Sequence, residues 1–216
     1  MKKKLVLAMA ATMAITSCAV PVLADDAAAE GGKIGISMPT QSLERWNRDG
    51  SYLEEQFKAA GYDVELTYSD NETDRQVNDI QNLISDGVNL LVIAAIDGEA
   101  LNTVMDEAAD AGIPVIIVDR MVDVSDDSLY TAWVGSNFKL EGQKAMAWLD
   151  AYLEAKGRGD EEINLVDIQG TIGASAQIGR TEGFDEAVEA HDNWTTLAQQ
   201  SGEFTQAKGQ EVMESI

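Results

Sequence analysis

The most chemically loaded pair in this sequence is Asp119-Arg120, a carboxylate and a guanidinium directly after the apolar run Ile113-Pro-Val-Ile-Ile-Val118. A carboxylate accepts hydrogen bonds and a guanidinium donates them, so together they can hold adjacent hydroxyls of a polyol. The dipeptide alone equally suits an ion pair or a cap at a strand end. Arg45-Trp46 sets a second guanidinium beside an indole, whose face can cover the apolar C–H side of a sugar ring. Trp46 suits ordinary core just as well. Arg180 is a third guanidinium, able to reach a cleft or to sit solvated on a helix. Other apolar runs end in Ser37-Met-Pro-Thr40-Gln41, Ser69-Asp70-Asn71, Asp97-Gly98 and Ser136-Asn137. This inventory is rich in hydroxyls, carboxylates and amides and suits a neutral polyol.

Catalytic chemistry finds little support. His191 is the single histidine and Cys18 the single cysteine, and His191 falls at a polar helix end. No Ser/His/Asp or Cys/His set can be built without it. Asp97 and Asp119 could form the carboxylate pair of a glycosidase, but no other residue supports that assignment. No His/Cys cluster has metal-ligand spacing, and no cofactor is expected. Gln169-Gly-Thr-Ile-Gly-Ala-Ser175 is a glycine-bearing turn after a strand. It lacks both the G-x-G-x-x-G spacing and the P-loop Gly-Lys-Ser/Thr, so it reads as a tight turn rather than a phosphate cradle.

Alternating strand and helix patterns position these residues. Lys33–Met38 reads as a short apolar strand and Leu43–Gly61 as a helix stopped by glycine. Tyr62–Tyr68 alternates as a strand, and Thr73–Gly87 is helical with Val77, Ile80 and Ile84 on one face. Asn89–Ile96 is continuously apolar, as a buried parallel strand should be. A helix over Glu99–Gly112 and strands over Ile113–Val118 and Leu129–Val134 follow. Residues 33–135 therefore predict a doubly wound α/β lobe with a parallel sheet, whose ligands sit beyond the carboxyl ends of the strands. The pattern restarts with a helix over Lys139–Lys156, a strand over Ile163–Gln169, a helix over Gly179–His191, a strand over Thr195–Gln200 and a helix from Thr205. Residues 136–216 read as an incomplete second α/β lobe. Two parallel strands cannot close a core, so the chain is expected to be truncated at its C-terminal side.

Net charge is −23, and without Lys2, Lys3 and Lys4 the chain carries 12 basic against 38 acidic residues, a net −26. So acidic a surface repels phosphate backbones and argues against nucleic acid as a partner. The three lysines precede an apolar run, Leu5–Ser17, of signal-peptide length. Two exits follow. Ile15-Thr-Ser-Cys18 resembles a lipobox that would lipidate Cys18, and Val22-Leu-Ala24 fits an ordinary signal peptidase. Residues 1–24 are thus expected to direct export to the periplasm or cell surface, with 25–32 as an acidic tether.

Further segments carry a family resemblance. Gly35-Ile-Ser-Met, Ser42-Leu-Glu-Arg-Trp46, Val92-Ile-Ala-Ala-Ile-Asp-Gly98 and Ile117-Val-Asp-Arg-Met121 resemble the periplasmic xylose- and multiple-sugar-binding proteins. Leu165–Ser175, with Arg180 and Gly183-Phe184, resembles the ribose- and galactofuranose-binding branch, as does Gln200-Ser-Gly-Glu-Phe-Thr205. The similarity spans most of residues 33–216 and is to type I sugar-binding components of ABC importers. It implies the type I periplasmic binding protein fold, two α/β lobes closing on a monosaccharide. Arg45, Trp46, Asp119 and Arg120 would line the site from the first lobe. Asn137 would lie at a hinge crossing, and Arg180 and Phe204 would come from the second lobe. Thr40, Gln41 and Asp97 complete the candidates. Implied partners are a monosaccharide, a membrane permease and a chemoreceptor, with the chain a monomer. A sugar-sensing regulator and an extracellular glycosidase of similar fold are the competing readings.

Overall fold

The computed structural model describes residues 31–216, so the predicted export segment, Cys18 and most of the tether lie outside the described residues. The first lobe contains five strands, β1 (Lys33–Met38), β2 (Asp63–Tyr68), β3 (Leu90–Ile93), β4 (Val115–Val118) and β5 (Ala132–Val134). They form one parallel sheet in the order β2-β1-β3-β4-β5. Three helices connect its strands, α1 (Glu44–Ala59), α2 (Thr73–Ser85) and α3 (Asn102–Asp110). The second lobe has α4 (Phe138–Ala155), β6 (Ile163–Gln169), α5 (Ser175–Glu189), β7 (Trp194–Ser201) and α6 (Gln206–Ser215). Its two strands pair in parallel, with a bulge between Leu165 and Val166.

Hydrophobic pattern explains the layering. β1 and β3 are central and covered on both faces, and their near-continuous apolar runs are buried to match. One face packs on α2 and α3 through Ile80, Leu83, Val104 and Met105. The other packs on α1 through Trp46, Leu53 and Phe57. α1 ends where Gly61 takes φ +91, a left-handed turn that closes helices and that glycine adopts without strain. In the second lobe Met146 and Leu153 of α4 and Phe184 of α5 pack with Ile163 and Trp194 of the sheet.

The boundaries of β3, β5 and α5 are among those that differ from expectation. β3 stops at Ile93, because Gln76 of α2 reaches under the strand end. Its buried amide donates to Ala94 O (2.9 Å) and Ser37 Oγ (3.2 Å), and its Oε1 accepts from Ile96 N (2.8 Å). β5 is shorter because Asp127–Leu129 forms a turn whose N-cap, Asp126, accepts from Ser128 N. α5 begins at Ser175 rather than Gly179, so the glycine-bearing turn is only Gly170–Ala174.

Glycines let α4 and α5 approach closely. A Cβ on Gly183 would lie 2.5 Å from Gln143 N and 2.6 Å from Lys139 O, and one on Gly142 would lie 2.4 Å from Arg180 O. Alanine ordinarily favours a helix interior by about 1 kcal/mol over glycine. Here overpacking against backbone, at about 1–3 kcal/mol, outweighs that preference. Gly183→Ala should therefore lower the urea midpoint of the second lobe, followed by Trp194 fluorescence. An unchanged or raised midpoint would mean that the helices are free to separate.

Candidate functional site

The carboxyl ends of the parallel strands form the rim on which the site is built. Asp119 follows β4 and takes φ +57, a left-handed conformation that aspartate tolerates better than most residues. The neighbouring strand supports it. Asp119 N–H donates to Val134 O at 2.8 Å, and Trp133 Nε1–H donates to Asp119 O at 3.1 Å. The turn sends the next side chain inward, and Arg120 is only 2% exposed.

The Arg120 guanidinium sits between two aromatic rings. Its carbon is 5.0 Å from the Trp46 ring centre in the first lobe and 4.9 Å from the Phe204 ring centre in the second. Both distances suit cation–π attraction. Its Nη1 is buried without a hydrogen-bond partner. Burial pushes the Arg120 pKa down to about 10, against the attraction of Asp119 and helped by repulsion from Arg45 and Arg180.

Arg45 and Arg180 are held differently. Arg45 Nη2 pairs with Asp119 Oδ1 at 2.8 Å and its Nε donates to Asp49 Oδ2 at 3.1 Å, while its guanidinium lies 4.6 Å from the Trp46 ring centre. Burial opposes the Arg45 charge, but Asp119 and then Asp49 outweigh it and raise its pKa. Arg180 donates through Nε and Nη2 to Glu141 Oε2 at 3.0 and 2.9 Å. It stacks 5.1 Å from the Phe138 ring centre and 6.0 Å from that of Phe204. Phe204 and Glu203 both have positive φ, +57 and +54. That kink lays the Phe204 ring against Gly170, where a Cβ would fall 1.9 Å from a ring carbon. Gly170 is the space the ring requires.

Arg45, Trp46, Asp119, Arg120, Arg180 and Phe204 converge on one cleft of about 200 Å³ between the lobes. The other four candidates lie outside its lining. Thr40 is buried and its hydroxyl shares a 3.0 Å hydrogen bond with Ser42, while Gln41 is exposed. Asp97 lines a neighbouring cavity with Gly173, and its Oδ1 accepts from Glu99 N and Ala100 N. Asn137 caps α4, its Oδ1 accepting from Leu140 N at 2.9 Å. Asp49, Glu141 and Gln76 were not singled out by the sequence. Asp49 follows Arg45 at helical i, i+4 spacing and was open to detection. Glu141 lies 39 residues from Arg180 and gave no local signal. Among the described residues no His/Cys/Asp/Glu group is arranged to hold a metal, and no helix is long and apolar enough to cross a membrane.

Two α/β lobes with arginines and aromatics converging on the cleft between them define a class of two-lobed ligand-binding proteins. The chain belongs to the periplasmic binding protein domain family, whose pattern matches residues 34–216. It is 36% identical over 156 residues to the galactofuranose-binding protein YtfQ of Escherichia coli (strain K12), covering 72% of this chain and 48% of that protein. It is also 36% identical over 165 residues to the multiple sugar-binding periplasmic receptor ChvE of Rhizobium radiobacter, covering 76% of this chain and 45% of ChvE. The solved periplasmic binding protein of the arabinose ABC transporter from Shewanella sp. ANA-3, bound to α- and β-L-arabinofuranose, superposes with a TM-score of 0.74 at 32% identity, covering 85% of this chain and 59% of that one. The chain spans about half the length of the curated relatives it matches.

The lowered Arg120 pKa has a definite sign for stability. With the folded value below the unfolded one, the unfolded chain holds more protons above pH 10, so stability from this group rises as pH climbs from there. At neutral pH its charge works against folding. Arg120→Met keeps contact with both rings and removes the unpaired donor. It should stabilise the chain by about 1–3 kcal/mol in urea denaturation without sugar. A loss of stability would mean that the two cation–π contacts exceed the desolvation cost.

Proposed function

We propose that this chain is the extracytoplasmic solute-binding component of an ABC importer, capturing a pentose or hexose monosaccharide between its lobes and delivering it to a membrane permease. One observation carries the reading. Arg120 is buried beside Asp119, between an aromatic of each lobe, with a donor left unpaired. A sugar hydroxyl can satisfy that donor, Asp119 can accept from an adjacent hydroxyl, and Trp46 and Phe204 offer faces for the ring. Arg45 and Arg180 add donors from opposite lobes. Binding is non-enzymatic on this reading, which is supported by the relatives the chain matches, described as a binding protein and a receptor.

The finer assignments follow from it. The chain acts as a monomer in the periplasm or at the cell surface, with Cys18 as the lipid attachment point if the lipobox is used. A chemoreceptor is a second docking partner, and Asn137 serves at a hinge crossing.

The test is thermal unfolding against a panel of aldopentoses and aldohexoses. A bound sugar stabilises by mass action, about 2.7 kcal/mol at a hundredfold excess over Kd. At least one sugar should raise the midpoint, and Arg120→Ala should abolish the rise. The assignment fails if no monosaccharide shifts the midpoint while another solute class does.

A further inference from the structure

Outside the arginine cleft the two lobes meet at a second place, where the contact is made by backbone and one hydroxyl. Met121 N–H donates to Ser175 Oγ at 2.8 Å. Gly98 N–H donates to Gly173 O at 3.2 Å. Met121 is the residue after Arg120, and Gly98 follows Asp97 in the loop after β3, so both donors belong to the rim of the first lobe. Both acceptors belong to the second lobe, at the turn into α5 and at its first residue.

Three features set these contacts apart from helix capping. The N-cap of α5 is Ala174, and no side chain caps that helix end. The Ser175 hydroxyl instead accepts across the lobe boundary. Gly173 has φ +84, and a Cβ there would lie 2.2 Å from Asp97 Oδ2. Gly98 packs within its own lobe, where a Cβ would meet Met121 O at 2.9 Å and Asp123 N at 3.0 Å, so the same rim segment that carries Met121 is held close to Gly98. Gly173 is thus the residue that lets the lobes come together to backbone distance here.

We propose that Ser175 is a positioning residue for ligand capture: with the Gly98–Gly173 contact it latches the lobes closed and couples the Asp119–Arg120 turn to α5, the helix that carries Arg180. The hydroxyl holds the peptide immediately after Arg120, whose own backbone follows the left-handed Asp119. Opening the lobes breaks this hydrogen bond together with the Arg120–Phe204 contact. The latch therefore sets how long a closed cleft lasts, without touching the ligand.

The experiment reads the distance between the lobes in the full chain. Cysteines at Lys58 on α1 and Lys156 after α4, in a Cys18→Ser background, carry a spin-label pair for pulsed dipolar spectroscopy. Without sugar, Ser175→Ala should increase the ratio of open to closed molecules about fivefold, the effect of one net hydrogen bond. Ser175→Thr, which keeps the hydroxyl, should restore the original distribution. Gly173→Ala should open the lobes through its clash with Asp97. An unchanged distribution in Ser175→Ala overturns the proposal, as does an opening that Ser175→Thr fails to reverse. If a sugar is identified, Ser175→Ala should raise its dissociation rate by a similar factor with the association rate unchanged. The distance measurement needs no sugar, so its failure is distinct from failure of the sugar assignment.

Discussion

A guanidinium held almost wholly out of water is the constraint around which the rest of this structure is arranged. Taking a cation into a protein interior is costly unless its charge and donors are met. Arg120 has Asp119 beside it and aromatic faces on two sides, yet it keeps a buried donor without a partner. A single self-contained lobe would have little reason to retain such a group. On the proposed reading it belongs to a cleft in which a hydroxylated guest supplies the missing acceptor. On that reading stability is given up for function, a trade common at binding sites.

The scaffold explains how the group is kept in place. β5 holds the left-handed Asp119 by two hydrogen bonds to its backbone, from the Trp133 indole and to Val134 O. Asp49 clamps Arg45, which in turn pairs with Asp119, so a carboxylate on α1 fixes the orientation of a carboxylate after β4. Glu141 plays the same part for Arg180 from α4. Each cleft arginine other than Arg120 is thus oriented by an acidic residue outside the ring-lined centre. Arg120 is oriented by packing instead, and that difference is what leaves its donor free.

Much of this was legible in the sequence because parallel α/β folding writes itself locally. Continuous apolar runs such as Asn89–Ile96 mark buried strands, and ligand groups collect after their carboxyl ends. Asp119, Arg120, Arg45 and Trp46 all stand out by that rule. Arg180 could be read only as a guanidinium able to reach a cleft or to sit solvated on a helix, and Phe204 came from family resemblance alone, since neither has a local pattern that separates it from an ordinary helix or turn residue. Asp97 and Thr40 show the limit of the rule. Both follow strands, but Asp97 Oδ1 accepts from Glu99 and Ala100 N–H and the Thr40 hydroxyl pairs with Ser42, which turns these atoms back on their own loops. Strand-end position specifies a neighbourhood, and turn chemistry decides which side chains face the cleft.

The contacts beyond sequence reading are those that join distant segments. Gln76 is polar, fully buried and on the inward face of α2, where an apolar residue would fit the helical pattern equally well. Its three hydrogen bonds make sense only once β1 and β3 lie side by side, because it satisfies backbone groups where β3 leaves the ladder. A leucine of similar size there would leave Ile96 N–H without its present partner inside the protein, at about 1–3 kcal/mol. The same logic governs the glycines between α4 and α5. Read singly, Gly142 and Gly183 are weak points in their helices. Read across the interface, they are the reason that Arg180 on α5 can approach Glu141 on α4 closely enough to be held at the cleft. Site geometry therefore depends on helix packing well away from the ligand-facing atoms, and on residues whose value appears only in pairs.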